Sequence, residues 1–303
     1  MKLLFVYPTL QASPRIWEYF DVDGILVSAD VLVDDGAGVK ELLGFDGFVL
    51  ADSGGYRLLS RKRVLNVDEV LTAQLKAKAD VNVTLDYPLS LRPNRQEFEV
   101  KAKKSIENVG IWLDAFGPDK VMPVLHARTK RQLRLVKEWL VERYGNVFSH
   151  IGLGSLAELS RYDPISMIKL ASYARKFFNN VKLHAFGCGN SSAVILALIG
   201  FDSVDMASHI HDARYGMVRH PQNLSMAVIA ERRVSRPTIK LDELFSLCSC
   251  PACQSRDVEI AKWGRRGLIL RAVHNAWWLK KMLKEKILTP RWRKYWEKAM
   301  KNS

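Results

Sequence analysis

Short runs of apolar and β-branched residues recur along the chain with amphipathic stretches between them, and this alternation limits the fold more than any other feature. The runs are Leu3 to Val6, Ile25 to Val27, Gly47 to Leu50, Val81 to Leu85, Val121 to Leu125, Phe148 to Leu153, Lys182 to Phe186 and Ser203 to Met206. Near-continuous apolar strands suit a parallel sheet covered by helices. Between them, Asn66 to Ala79, Arg95 to Ala115, Lys130 to Tyr144, Pro164 to Phe178 and Ser191 to Ile199 read as amphipathic helices, the last with Asn190 as N-cap and Gly200 as stop. Eight strands alternating with helices predict an α/β fold, a (β/α)8 TIM barrel rather than an open doubly wound sheet. The stretch between the first two strands is too short for a comfortable helix.

In such a barrel the chemistry sits at the C-terminal ends of the strands. Those ends carry Asp30, Asp52-Ser53-Gly54-Gly55, Asp86, His126, Gly152-Leu153-Gly154, Gly187-Cys188-Gly189 and Asp205. One aspartate after a strand equally suits a turn or a helix cap. Several on one rim are harder to read as turns and caps alone. Beyond the eighth strand, residues 207–247 show no clear helical period, are broken by Pro221 and Pro237, and read as a hairpin or loop excursion.

Cys248, Cys250 and Cys253, followed by His274, supply three thiolates and an imidazole, a complete set for one structural zinc ion per chain. The alternative is three reduced structural cysteines beside an unrelated histidine. Cys188 stands apart, in a glycine loop. Three of four cysteines within six positions do not make a secreted disulfide framework. These features divide the chain into a barrel over 1–245, a zinc-binding subdomain over 246–279 and a basic aromatic tail over 280–303. The formal net charge is +14, and Lys262 to Ser303 holds 13 Lys/Arg against Glu285 and Glu297, together with Trp263, Trp277, Trp278, Trp292 and Trp296. Cations interleaved with aromatics suit a phosphate backbone with exposed bases; the alternative is a solvated helix whose aromatics pack on the barrel. No apolar run approaches the roughly 20 residues of a membrane span, and the opening run meets Pro8 too early for a signal-peptide core. A cytoplasmic protein without a membrane partner is expected.

Five segments carry a resemblance to a known family: ADSGGY at 51–56, TLDYP at 84–88, IGLGSLAE at 151–158, FGCGNSSAVILALIGFDSVDMA at 186–207 and CSCPAC with a later HNA at 248–276. In this order they resemble the tRNA-guanine transglycosylase family, TIM barrels with a zinc subdomain. The resemblance implies exchange of a guanine in a nucleic acid for a 7-deazaguanine, without strand breakage. It implies Asp205 as nucleophile, with Asp202 the near rival, and Asp52 as the proton-transfer partner. Asp86 would accept from the donor edge of the purine, with Ser53, Gly54, Gly152, Gly154 and Glu158 also lining the base site. Gly187, Gly189, Asn190, Ser191 and Arg214 would contact the nucleic acid, and the family commonly forms homodimers.

Two departures stand out. The family's usual Val-Gln-Gly after the fifth strand is Val124-Leu125-His126 here, so His126 either takes over a polar contact to the base or the base is recognised differently. The C-terminal RNA-binding domains usual in archaeal members are not in this sequence, so the basic tail would serve instead or the substrate is not that tRNA. VMPVLHA and SVDMA are also similar to relatives that insert 7-deazaguanines into DNA, and both polymers stay open, tRNA slightly ahead. A catalytically silent nucleic-acid-binding subunit is the alternative from another class, and a metal-dependent barrel hydrolase would need an open metal position that the closed Cys3His set does not offer.

Overall fold

The computed structural model describes residues 1–7, 14–29, 38–55, 66–230 and 236–301. Nine parallel strand segments form one barrel: β1 (Lys2–Tyr7), β2 (Gly24–Ser28), β3 (Phe48–Asp52), β4 (Val81–Val83), β5 (Val121–Met122), β6 (Val124–Leu125), β7 (His150–Leu153), β8 (Lys182–Ala185) and β9 (Ser203–Met206). Their order is β5-β4-β3-β2-β1-β9-β8-β7-β6. β5 and β6 are the two halves of the expected Val121 to Leu125 run, parted by Pro123, which has no N–H for the ladder. β5 pairs with β4 and β6 with β7, so this single stave joins the two ends of the sheet. The expected eight staves are therefore present.

Helices cover the barrel: α1 (Val39–Leu43), α2 (Val67–Ala77), α3 (Arg95–Phe116), α4 (Lys130–Tyr144), α5 (Leu156–Tyr162), α6 (Pro164–Phe177) and α7 (Ser191–Ile199). Asn66, Asn94, Thr129 and Asp163 cap α2, α3, α4 and α6 through side-chain oxygens that accept backbone N–H groups. Gly200 ends α7 in the left-handed conformation, as expected. Asn190 does not cap α7: its φ is 56° and its side-chain oxygen accepts instead from Arg219 Nη2. Only a short 3-10 turn, Ile16–Glu18, fills the described part of the first crossover.

Residues 207–247 contain the expected hairpin, β10 (Met217–Arg219) against β11 (Met226–Val228). They also contain two helices that the sequence pattern did not reveal, α8 (Ser208–Arg214) and α9 (Leu241–Leu247), each too short to show a period. α10 (Pro251–Gln254) starts inside the cysteine cluster, α11 (Arg265–Lys284) carries His274, and α12 (Pro290–Met300) follows. No helix among the described residues is long and apolar enough to cross a membrane.

Alternation along the strands divides the core. Leu4, Leu26, Leu50, Val81, Val83, Met122 and Val124 fill the barrel, while Leu3, Phe5, Ile25, Val27, Val49 and Ala51 pack outward with the helices. The same period of two sets Asp52 in line with Phe48 and Leu50, and Asp205 in line with Ser203. Three aspartates hold the opposite, N-terminal end. Asp23 accepts from Leu3 N at 2.9 Å, Asp80 from Val49 N at 2.7 Å and Asp202 from Leu183 N at 2.8 Å. Asp202 also pairs with Arg175 at 3.0 Å, so it is a tether at the bottom of the barrel.

Gln74 on α2 ties the upper ends of two strands, donating to Ala51 O and Val83 O at 3.0 Å each and accepting from Trp112 Nε1. It is fully buried, so its loss removes three buried hydrogen bonds at once. Gln74→Met is expected to lower the urea midpoint at unchanged slope, a loss of about 2–3 kcal/mol. An unchanged midpoint would show that these bonds carry no net stability.

Candidate active site and metal centre

A cavity of about 810 Å³ opens at the C-terminal end of the barrel, and Asp52, Asp86 and Asp205 all line it. Their anionic charge is offset mainly by hydrogen-bond donors. Asp86 Oδ1 accepts from Ser53 Oγ at 2.9 Å, and its Oδ2 meets His126 Nε2 at 2.6 Å. Asp205 Oδ1 accepts from Gly187 N at 2.8 Å and lies 3.2 Å from His184 Nε2. Asp52 Oδ2 accepts only a long bond from Gly54 N, 3.2 Å, with help from the Ser53 backbone. Burial, with Asp86 and then Asp205 nearby, therefore raises the Asp52 pKa from 3.8 to about 7.

Glycines make room for this packing. A Cβ on Gly154 would lie 2.2 Å from the His126 ring, on Gly152 2.3 Å from the Phe186 ring, and on Gly55 2.4 Å from Asp86 Oδ1. Gly154 lines the cavity, whereas Gly152 acts one layer lower by admitting Phe186. Glu158 lines it too, held by an ion pair to Arg128. Arg128 also donates to Ser155 O at 2.9 Å, Leu89 O at 3.1 Å and Ser90 O at 3.0 Å, which joins two rim loops.

Of the sequence-derived candidates, Asp52, Gly54, Asp86, His126, Gly154, Glu158, Gly187, Gly189, Asn190 and Asp205 come together on this one surface. Ser53 sits directly behind Asp86, and Ser191 is buried on α7. Arg214 is exposed at the end of α8, outside the cavity lining, where His211 of the same helix stands. Asp30 lies outside the described residues. Asp202 is remote from the cavity, at the other end of β9.

Three further residues belong to this site without standing among the sequence-derived candidates: His184, Ser203 and Arg128. His184 is fully buried, with Nδ1 2.9 Å from Ser203 Oγ and Nε2 facing Asp205. Its signal was available: a polar residue at an inward position of a barrel strand needs a partner, and alternation pairs it with Phe186 on the same face, 4.4 Å between ring centres. Cys188 is fully buried, and burial beside Asp205 pushes its thiol pKa well up, which makes it an inert core residue.

The four metal-ligand candidates also converge. Cys248, Cys250 and Cys253 place their sulfurs 3.5, 3.4 and 3.3 Å from His274 Nδ1, all buried. Such near-equal spacing is that of the corners of a tetrahedron around one ion. His274 Nε2 faces Arg219 O at 2.7 Å, which fixes the tautomer and leaves the Nδ1 lone pair for a metal. Trp278 Nε1 donates to Cys248 Sγ at 3.2 Å, as a thiolate ligand requires. The next residue, Asn275, accepts from Arg219 N at 2.8 Å and donates to Met217 O at 3.1 Å, holding β10 against α11. α11 runs on to Lys284, so the ligand-bearing helix and the start of the basic tail share one backbone.

A family model described as queuine tRNA-ribosyltransferase matches residues 26–302. The chain is 30% identical over 234 residues to a tRNA-guanine(15) transglycosylase of Korarchaeum cryptofilum, covering 74% of this chain and 37% of that protein. It is 28% identical over 291 residues to the protein of that name in Methanopyrus kandleri, covering 91% of this chain and 60% of that one. For the Aeropyrum pernix protein of that name the identity is 30%, with 71% and 40% covered. The chain thus spans between about a third and three fifths of these relatives' own length.

Two measurements follow from this geometry. In the unfolded chain Asp52 loses its proton near 3.8, in the folded one near 7, so between those values the native state holds the extra proton. The stability it contributes is complete below about 3.8 and is lost as pH rises through 7. Asp52→Asn is therefore expected to gain on the wild type by roughly 1–3 kcal/mol in denaturant titrations moved from pH 4 to pH 8. No gain between the two pH values would mean an ordinary carboxylate, and a gain in the other direction one whose pKa the fold lowers. For the metal centre, elemental analysis should find one ion per chain, and Cys250→Ser should lose both the ion and several degrees of Tm. Metal-free wild type that melts unchanged in strong chelator would contradict it.

Proposed function

Because the chain belongs to the queuine tRNA-ribosyltransferase family, we propose that it is a pentosyltransferase that exchanges a guanine base in tRNA for a 7-deazaguanine. The observation that carries this reading is one cavity lined by three carboxylates in unlike surroundings. Exchange at C1′ with retained stereochemistry needs a nucleophile that holds the sugar and a group that gives and takes a proton.

Asp205 suits the first task. Two donors, Gly187 N and His184, fix one oxygen, and the other oxygen is left to attack C1′ as guanine departs. Asp52 suits the second, since a pKa of about 7 lets one group protonate the leaving base and deprotonate the incoming one at neutral pH. Asp86 faces donors already, and its remaining lone pairs suit the ring N–H and amine of a guanine-type base. His126 would act through Asp86, holding its carboxylate in place, in keeping with the absence of the family glutamine. The Cys3His set favours zinc, and with all four positions protein-filled the ion has a structural role.

The relatives' printed name supports tRNA as the polymer, and the test compares both polymers. The protein, incubated with radiolabelled guanine and either bulk tRNA or duplex DNA, is expected to label tRNA. Asp205→Asn should lower incorporation by at least about a thousandfold with the fold intact. Label in DNA alone would change the polymer, and label in neither would leave a nucleic-acid-binding protein without this activity.

A further inference from the structure

One wall of the cavity mouth has no part in bond exchange. α12 packs on α6 and α7, and Thr289 before its first turn lies 3.3 Å from Ser191 Oγ on α7. Three residues on, Trp292 lines the cavity beside Asn190 and Ser192. The inner side of α12 is used by this packing, with Ala299 buried and Trp292, Tyr295 and Trp296 half-buried against the core, and of these Trp292 also reaches the cavity. Its outer side leaves Arg291, Arg293 and Lys294 exposed. On another part of the same lining stand Arg161 and Tyr162, the latter 60% exposed with the Arg161 guanidinium 5.5 Å from its ring centre.

An aromatic face offers any base a stacking surface, and adjacent cations hold the phosphates on either side. An enzyme that reacts at C1′ deep in a pocket must draw its nucleotide out of the stack, which unstacks the neighbours as well. We propose that the outer face of α12 and the Arg161–Tyr162 corner dock the single-stranded nucleotides flanking the reacting one, with Trp292 stacking on a neighbouring base. This rests on the base-exchange reading for the identity of the reacting nucleotide. A lipid surface fits less well, because the apolar side that a membrane-binding helix needs is already packed on the barrel.

Fluorescence anisotropy with a labelled oligouridylate of twelve nucleotides, and with the same oligomer lacking bases, tests it. Trp292→Ala is expected to weaken oligouridylate binding about tenfold, Trp292→Phe to keep most of it, and the abasic oligomer to bind all three proteins alike. Arg293→Ala with Lys294→Ala should weaken both oligomers and lower the slope of log K against log salt by about 1.4. If Trp292→Ala melts early, Tyr162→Ala on the exposed corner replaces it with the same expectation. Oligouridylate binding unchanged in these variants would overturn the proposal, as would an equal loss for the abasic oligomer. So would binding to phosphatidylserine vesicles with neither oligomer bound. Uridylate contains no guanine to exchange, so base-dependent binding without any exchange activity would sink the activity and leave this surface standing.

Discussion

Gathering three carboxylates at one end of a parallel barrel is the constraint on which the rest of the structure depends. Like charges in a partly dry cavity repel, and each must be matched by donors or kept protonated. The chain uses both solutions. Asp86 is held between Ser53 and His126, Asp205 between Gly187 N and His184, and Asp52, with the weakest donors, keeps its proton up to about pH 7. Unequal hydrogen bonding thus separates otherwise similar side chains into an anchor, a nucleophile and a proton carrier in the proposed reaction. The glycines at 55 and 154 follow from the same crowding, since they admit Asp86 and the His126 ring where a side chain would displace them.

The metal centre is joined to this arrangement by a short series of contacts. His274 and Asn275 on α11 grip the backbone of Arg219, and Arg219 reaches Asn190 through one guanidinium nitrogen and Leu224 O, at 2.7 Å, through another. Asn190 closes the loop whose first residue, Gly187, donates to Asp205. The strained φ of 56° at Asn190 is therefore supported by a buried arginine that the helix carrying His274 positions. Such a connection gives the buried Cys3His group a reason to lie beside a barrel whose proposed chemistry needs no ion.

Much of this was legible in the sequence because the controlling signals were local. Strand alternation gave the barrel, strand ends gave the three carboxylates, and Cys248-x-Cys250-x-x-Cys253 with His274 gave the metal set. What escaped depended on contacts between distant segments. α8 and α9 are too short for a period, and Asn190 turned from its helix because Arg219, 29 positions on, holds its side chain. Asp202 and Asp205 look alike in sequence, yet three residues along one strand put them at opposite ends of the barrel. Composition could not sort the tryptophans: Trp278 bonds Cys248 Sγ, and Trp277, Trp292 and Trp296 pack on the core, Trp292 also lining the cavity.

The central claim is that Asp205, alone of the three carboxylates, carries the sugar during exchange. Denaturing the protein in mid-reaction with tRNA, digesting both polymers and mapping the modified peptide by mass spectrometry tests this directly. The account requires a ribosyl adduct on the peptide that contains Asp205, at that residue. An adduct on Asp52 or Asp86, or exchange that proceeds with no adduct on any carboxylate, would contradict it.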